Sequence, residues 1–369
     1  MDMIDKKYNR LILIGNGFDK ALGLKTSYAE FILDYLKKSV KKDLEIQSKV
    51  NGLISLNIQG EFNPQFKEKY LLKIESITTS KDLVRYIESI GKISYKYVFF
   101  EDLINQYVNA RWVDIEQYYY ETLKREFQIY KNPHKVKNLT NIVELNKCMD
   151  ELNVALNSFI KEQEIKITLD HIDSLSSLLD SIIEPLRPQN VSLVKRHKRL
   201  NAPSEVLFLN FNYTNTVQQI IHNSFVHGNN RHLFIHGTVN HEDNPIIFGY
   251  GDDTGEDYKE LEFEGVNELL RKIKSFQYPR THNYHNLLNY LELSEFDVLI
   301  IGHSCGLSDR TLLKTIFEHP YCLAIQNFHY KGESEDFEKR MEISRHFEDK
   351  VLMRERVLPY DNFASIPQY

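Results

Sequence analysis

Leu11-Ile-Leu-Ile-Gly15-Asn16-Gly17-Phe18-Asp19 is the stretch on which the fold turns. Four apolar residues empty into a Gly-x-Gly turn, and a helical pattern follows. A short run apolar on both faces reads as a buried parallel strand. A glycine turn leading into a helix is how such a strand begins a βα unit. The same grammar returns late in the chain. Phe296-Asp-Val-Leu-Ile-Ile-Gly302 reads as a second buried strand, followed by a helix over Ser308–His319 and a strand over Cys322–Tyr330. Between these ends lie β-rich runs at Val206–Asn212, His232–Gly237 and Ile246–Gly249. The strand–turn–helix–strand order predicts a Rossmann-like parallel α/β sheet.

The sheet is interrupted. From about Thr26 to Val194 apolar residues recur at three and four spacings, with amphipathic stretches at Ser27–Lys42, Asp82–Tyr107, Asp114–Tyr130 and Ile142–Glu164. Gly52–Lys81 is less regular and reads as turns or short strands. The expected organisation is a sheet domain from residues 1–26 and 201–369, with residues 27–200 as a large helical insertion or cap.

Composition limits the function classes. The chain has 369 residues, 42% hydrophobic and 27% charged, as in an ordinary globular protein. With 46 Lys and Arg against 52 Asp and Glu, its net charge is −6. Nucleic acid is therefore not an expected partner. The three cysteines, Cys148, Cys305 and Cys322, are too scattered for a zinc ribbon or a disulfide framework. No apolar run is long enough to span a membrane, and the expected location is cytoplasmic.

Chemistry is expected where strands end. Gly15 and Gly17 let backbone approach a pyrophosphate, with Asn16, Phe18 and Asp19 in the same turn. Asn210-Phe-Asn212-Tyr213-Thr214 follows another strand; Asn212 suits a ribose hydroxyl or a water, while Thr214 or Asn215 suits a helix cap. His236, ahead of Gly237, reads either as a general base or as a core histidine. Gly302-His303-Ser304 offers a second phosphate or ribose contact, with Ser308 or Asp309 as the following N-cap. Cys305 reads as a buried small residue. Asp114 and Glu116, beside the only tryptophan, Trp112, read first as a helix N-terminus. The histidines show no metal-ligand spacing, so no metal is expected.

Taken in order, Gly15-Asn16-Gly17-Phe18-Asp19, Gly23-Leu24-Lys25-Thr26-Ser27-Tyr28, Trp112-x-Asp114-Ile-Glu116, Asn210-Phe-Asn212-Tyr213-Thr214, Phe234-Ile-His236-Gly237, Ile247-Phe-Gly249 and Gly302-His303-Ser304 resemble the AbiH family of bacterial phage abortive-infection proteins. More distantly the set is similar to sirtuin-like NAD-binding domains. That resemblance implies NAD as substrate, with Asn212 and His236 catalytic. It places Gly15, Asn16, Gly17, Phe18, Asp19, Tyr213, Thr214, Gly302 and Ser304 around the nucleotide. It implies an NAD glycohydrolase that cleaves the nicotinamide–ribose bond on infection; the alternative is a nucleotide-binding sensor that signals to a partner. A phage-derived trigger and a second copy of the chain are the remaining partners it leaves open. Asp19 stands where sirtuins carry a small serine, and their zinc ribbon has no counterpart here.

Overall fold

A computed structural model describes residues 8–46, 52–58, 67–109, 114–134, 136–165, 178, 182, 184, 202–223, 230–239, 241–253 and 255–367. The chain divides into two compact units, one from residues 1–25, 160–259 and 273–369, the other from 26–159 and 260–272.

The first unit is built on five parallel strands, β1 (Asn9–Ile14), β4 (Val206–Asn210), β5 (Asn230–Phe234), β6 (Phe296–Ile301) and β7 (Cys322–Phe328), in the order β5-β4-β1-β6-β7. The chain thus builds outward from β1 to one side, then crosses back and builds to the other. Both faces of β1, β4, β6 and β7 are buried, as their largely apolar runs require, whereas the edge strand β5 is only partly buried. Leu11, Leu13, Leu207, Leu209, Val298 and Ile300 pack on one face, against the helices Asn283–Leu293 and Arg310–Phe317. Ile12, Ile14, Phe208, Leu299 and Ile301 pack on the other, against α1 (Asn16–Ala21) and the helix Thr216–Asn223. Each such side chain contributes roughly 1.5–3 kcal/mol by leaving water.

One pair in this sheet is charged. Arg10 on β1 stands beside Asp297 on β6, Nε and Nη2 donating to its carboxylate at 2.7–3.2 Å. Nη1 donates to the carbonyls of Ile182 and Glu184, both at 2.6 Å, and Nη2 also reaches the Tyr8 hydroxyl at 3.1 Å. The pair sits at the amino-terminal end of the sheet, opposite the edge where the glycine turns lie.

The second unit holds α2 (Tyr28–Ile46), β2 (Ile54–Ile58), α3 (Lys67–Ser76), α4 (Ser80–Ile90), β3 (Gly91–Tyr95), α5 (Val98–Asn109), α6 (Ile115–Lys131) and most of α7 (Thr140–Glu164). The expected helix over Asp82–Tyr107 is broken at its middle by β3, which pairs antiparallel with β2. Gly91 permits the break: a Cβ there would lie 2.5 Å from the Asn57 carbonyl oxygen. The apolar run Ile246–Gly249 is no strand either. It is buried but irregular, with Ile247 donating to the His236 carbonyl at 2.8 Å, and Pro245 ahead of it has no N–H for a ladder. Asp114 is the cap of α6, accepting from Glu116 and Gln117 N–H. Trp112 lies outside the described residues, as does most of the predicted helical pattern beyond Glu164. Among the described residues no helix is long and apolar enough to cross a membrane.

Candidate functional site

The carboxyl ends of β1, β4, β5 and β6 carry the segments singled out in the sequence, and the sheet brings them together. Gly15 N–H donates to the Ile301 carbonyl at 3.1 Å, and Gly17 N–H to the Gly302 carbonyl at 2.8 Å. The two turns pack backbone to backbone. A Cβ on Gly15 would lie 2.3 Å from the His303 Cα, and one on Gly302 2.2 Å from the Phe18 nitrogen. Gly302 also has φ +71°, a left-handed conformation that favours glycine. The glycines are therefore demanded by this contact, independently of a phosphate.

Asn212 follows β4 and donates from Nδ2 to the Gly15 carbonyl at 3.0 Å, a contact between residues 197 apart in sequence. It is 7% exposed. Its neighbour Tyr213 reaches the Ile247 carbonyl with its hydroxyl at 3.4 Å. Thr214 does not cap the next helix. Its hydroxyl donates to Asp19 Oδ2, and that of Thr216 to Asp19 Oδ1, both at 2.7 Å. Phe18, beside Asp19, belongs to the core, whereas Asn16 is half-buried at the start of α1.

Burial pushes the Asp19 carboxyl up to about 6, against the opposing pull of the two threonine hydroxyls. The sign of the linkage follows: the folded state holds this proton more tightly than the unfolded chain. The stability so gained is complete below about 4 and is lost as pH rises through about 6. Asp19→Asn is expected to remove that slope. Its stability relative to wild type should rise from pH 4 to pH 6.5 by about 2–3 kcal/mol, read from denaturation midpoints across that range. A constant difference across the range would refute a buried, titrating Asp19.

His236 lies two residues past β5, and burial pushes its imidazole down to about 4, with Lys274 adding to the shift. It is 4% exposed. Its Nε2 stands 3.1 Å from Asp309 Oδ1, out of line for a well-formed hydrogen bond. Lys274, wholly buried, donates from Nζ to the same oxygen at 2.8 Å. His303 points Nε2 at Asp309 Oδ2 from 3.5 Å, while its Nδ1 accepts from the Cys305 N–H at 3.0 Å. Burial opposes the charge on Asp309, yet Lys274 and the two imidazoles hold its carboxyl well below the usual range. Phe211 binds the halves of the site: its ring lies 5.2 Å from the His236 ring and 4.1 Å from that of His303.

Two of these groups were not legible as site residues. Asp309 occupies the N-cap position of the helix Arg310–Phe317, as expected, but makes no cap bond, because its carboxylate is turned onto Lys274 and the histidines. Lys274 sits in an ordinary basic stretch, Arg271-Lys-Ile-Lys274, with nothing local to mark it. Ser304 is exposed at the turn, where its carbonyl and that of His303 accept from Lys339 Nζ. Cys305 has φ +56° and is fully buried, with its thiol pushed up to about 12 by burial; it has no nucleophilic character there. Among the described residues no group of three or more His, Cys, Asp or Glu is placed to hold a metal.

The arrangement offers a neutral imidazole, an amide and an ionised carboxylate at one sheet edge. A family model for bacteriophage abortive infection, AbiH, matches residues 11–329 and takes in every one of these segments. No curated protein matches the chain.

Proposed function

The chain belongs to the AbiH family, and its role is phage abortive-infection defence; from that premise we propose that it acts by binding NAD at this sheet edge and hydrolysing it. The frame is read as Rossmann-like and sirtuin-like, because the strand order reverses at β1 and ligands of such sheets bind where that happens. The carrying observation is the meeting of Gly15, Asn212, His236 and Gly302–His303 at that point.

In the proposed reaction water adds to the ribose C1′, the C1′–nitrogen bond breaks, and its electron pair leaves with nicotinamide. The water proton passes to His236, whose imidazole is neutral at physiological pH and so is free to accept it. Asn212 has no proton to take up or give at that pH, so it orients ribose or water through its amide. Asn16, Gly17, Tyr213, Gly302 and Ser304, the partly or fully exposed members of these turns, face the nucleotide, while Phe18, Asp19 and Thr214 are buried beneath them and support the turns. His236 and Asn212 are closed in, so substrate access requires movement of the turns that cover them.

A second reading has its own observation. Asn212 already spends Nδ2 on the Gly15 carbonyl, as a purely architectural residue would, which favours a nucleotide sensor without turnover. Purified protein from infected and uninfected cells, incubated with NAD, decides between them. The expected result is NAD loss with equimolar nicotinamide release, reduced at least 100-fold by His236→Ala and by Asn212→Ala, with melting temperatures near wild type and phage protection lost. Intact NAD in both preparations, with a melting temperature raised by NAD, replaces the hydrolase with the sensor. A His236→Ala protein that melts like wild type and consumes NAD at the wild-type rate removes His236 as the base.

A further inference from the structure

Lys274, Asp309 and His236 form a chain of contacts that packing alone does not call for. Lys274 is wholly buried, and a buried ammonium–carboxylate pair is seldom more stabilising than apolar residues of the same volume. Asp309 closes the 3-10 turn Leu307–Asp309 ahead of the helix Arg310–Phe317, whose first N–H groups are taken by the Leu307 and Gly251 carbonyls, so its carboxylate is not needed as a cap. Instead, one carboxylate oxygen meets both Lys274 Nζ and His236 Nε2, and the other faces His303 Nε2. An ionised carboxylate only accepts hydrogen bonds. A neutral imidazole beside it is favoured with its proton on the nearer nitrogen, which for His236 is Nε2. His303 is set the same way, because its Nδ1 is occupied as acceptor by the Cys305 N–H.

We propose that Asp309, held in place by Lys274, is the positioning residue that fixes His236 as the Nε2–H tautomer and leaves Nδ1 as the proton acceptor. This rests on the hydrolase reading for its use in catalysis, but the tautomer is a property of the protein alone. Nε2 lies 3.1 Å from Oδ1 but out of line, as catalytic hydrogen bonds often are before substrate binds. The groups facing His236 are Asp309, Lys274, His303 and Tyr278, whose ring is stacked 6.4 Å away.

The test uses the full-length protein with ¹⁵N-labelled histidine, His236 being assigned by its loss in His236→Gln. Wild type at pH 7 is expected to show the Nε2–H tautomer. Asp309→Asn, which presents an amide donor to the ring, is expected to shift it toward Nδ1–H. Nicotinamide release should then fall about 100-fold in kcat with KM within about threefold, as loss of an orienting group requires. Lys274→Met takes away a positive charge, so His236 should titrate higher by about one pH unit, tenfold in its protonation equilibrium. Should either single variant fail to fold, Lys274→Met with Asp309→Asn removes both charges together and is expected to fold with the Nε2–H preference lost. An Nε2–H tautomer that survives in Asp309→Asn or in the double variant overturns the proposal. So does an unmoved His236 titration in Lys274→Met. A shifted tautomer in a protein that leaves NAD intact upholds the positioning and overturns the hydrolase instead.

Discussion

Gly302→Ala is expected to destabilise the sheet-bearing unit by about 3 kcal/mol or more, from two separable costs. The residue has φ +71°, where a side chain is strained, and its Cβ would sit 2.2 Å from the Phe18 nitrogen. That neighbour is backbone at the start of α1 and has no rotamer with which to yield. Gly265 supplies the control. Its φ is +76°, but a Cβ there meets nothing within 4 Å, so Gly265→Ala carries the conformational cost alone, about 1 kcal/mol. Gly15 supplies the converse, since its φ of −124° suits any residue while its Cβ would lie 2.3 Å from the His303 Cα. Chemical denaturation should rank Gly302→Ala as the most damaging, Gly15→Ala next and Gly265→Ala as the mildest. A loss at Gly302 no larger than the conformational cost of about 1 kcal/mol would mean that the two turns are not in contact.

Arg10→Met is expected to cost about 3–5 kcal/mol, because it leaves the Asp297 carboxylate buried with its cation gone. The same substitution strips the donor from the Ile182 and Glu184 carbonyls. Arg10→Met combined with Asp297→Leu removes the orphaned charge, and it should recover a large part of the loss despite the two bare carbonyls. Urea midpoints of the single and double variants measure the difference. A double variant no more stable than Arg10→Met would show that the guanidinium acts through the carbonyls rather than through Asp297. Neither substitution touches the carboxyl-terminal edge of the sheet, so a folded double variant should keep its phage protection.

Much of the sheet was legible because its strands carry their burial in their composition. Leu11–Ile14, Val206–Asn210 and Phe296–Ile301 are apolar on both faces, and each is a central strand. The Gly-x-Gly turn was equally plain, although its glycines meet another turn rather than open space. Ile246–Gly249 was misleading for the same reason that the strands were clear: burial makes a segment apolar whether or not it joins a ladder. At the site, Asn212 and His236 stood out because they are polar residues just past apolar strands. Lys274 did not, being one lysine among several.

Composition and local pattern thus decided which segments become strands, where glycine must turn the chain, and which broad class of sheet results. Those choices depend on burial and backbone sterics within a few residues. Which partner a polar side chain takes was left to the folded molecule. Asp309 has the sequence position of a cap and the contacts of a histidine's neighbour. Thr214 likewise stands before a helix and serves Asp19. The reason is one of range: a cap is satisfied within its own turn, but Lys274 and His236 reach Asp309 only after folding has set three distant segments side by side.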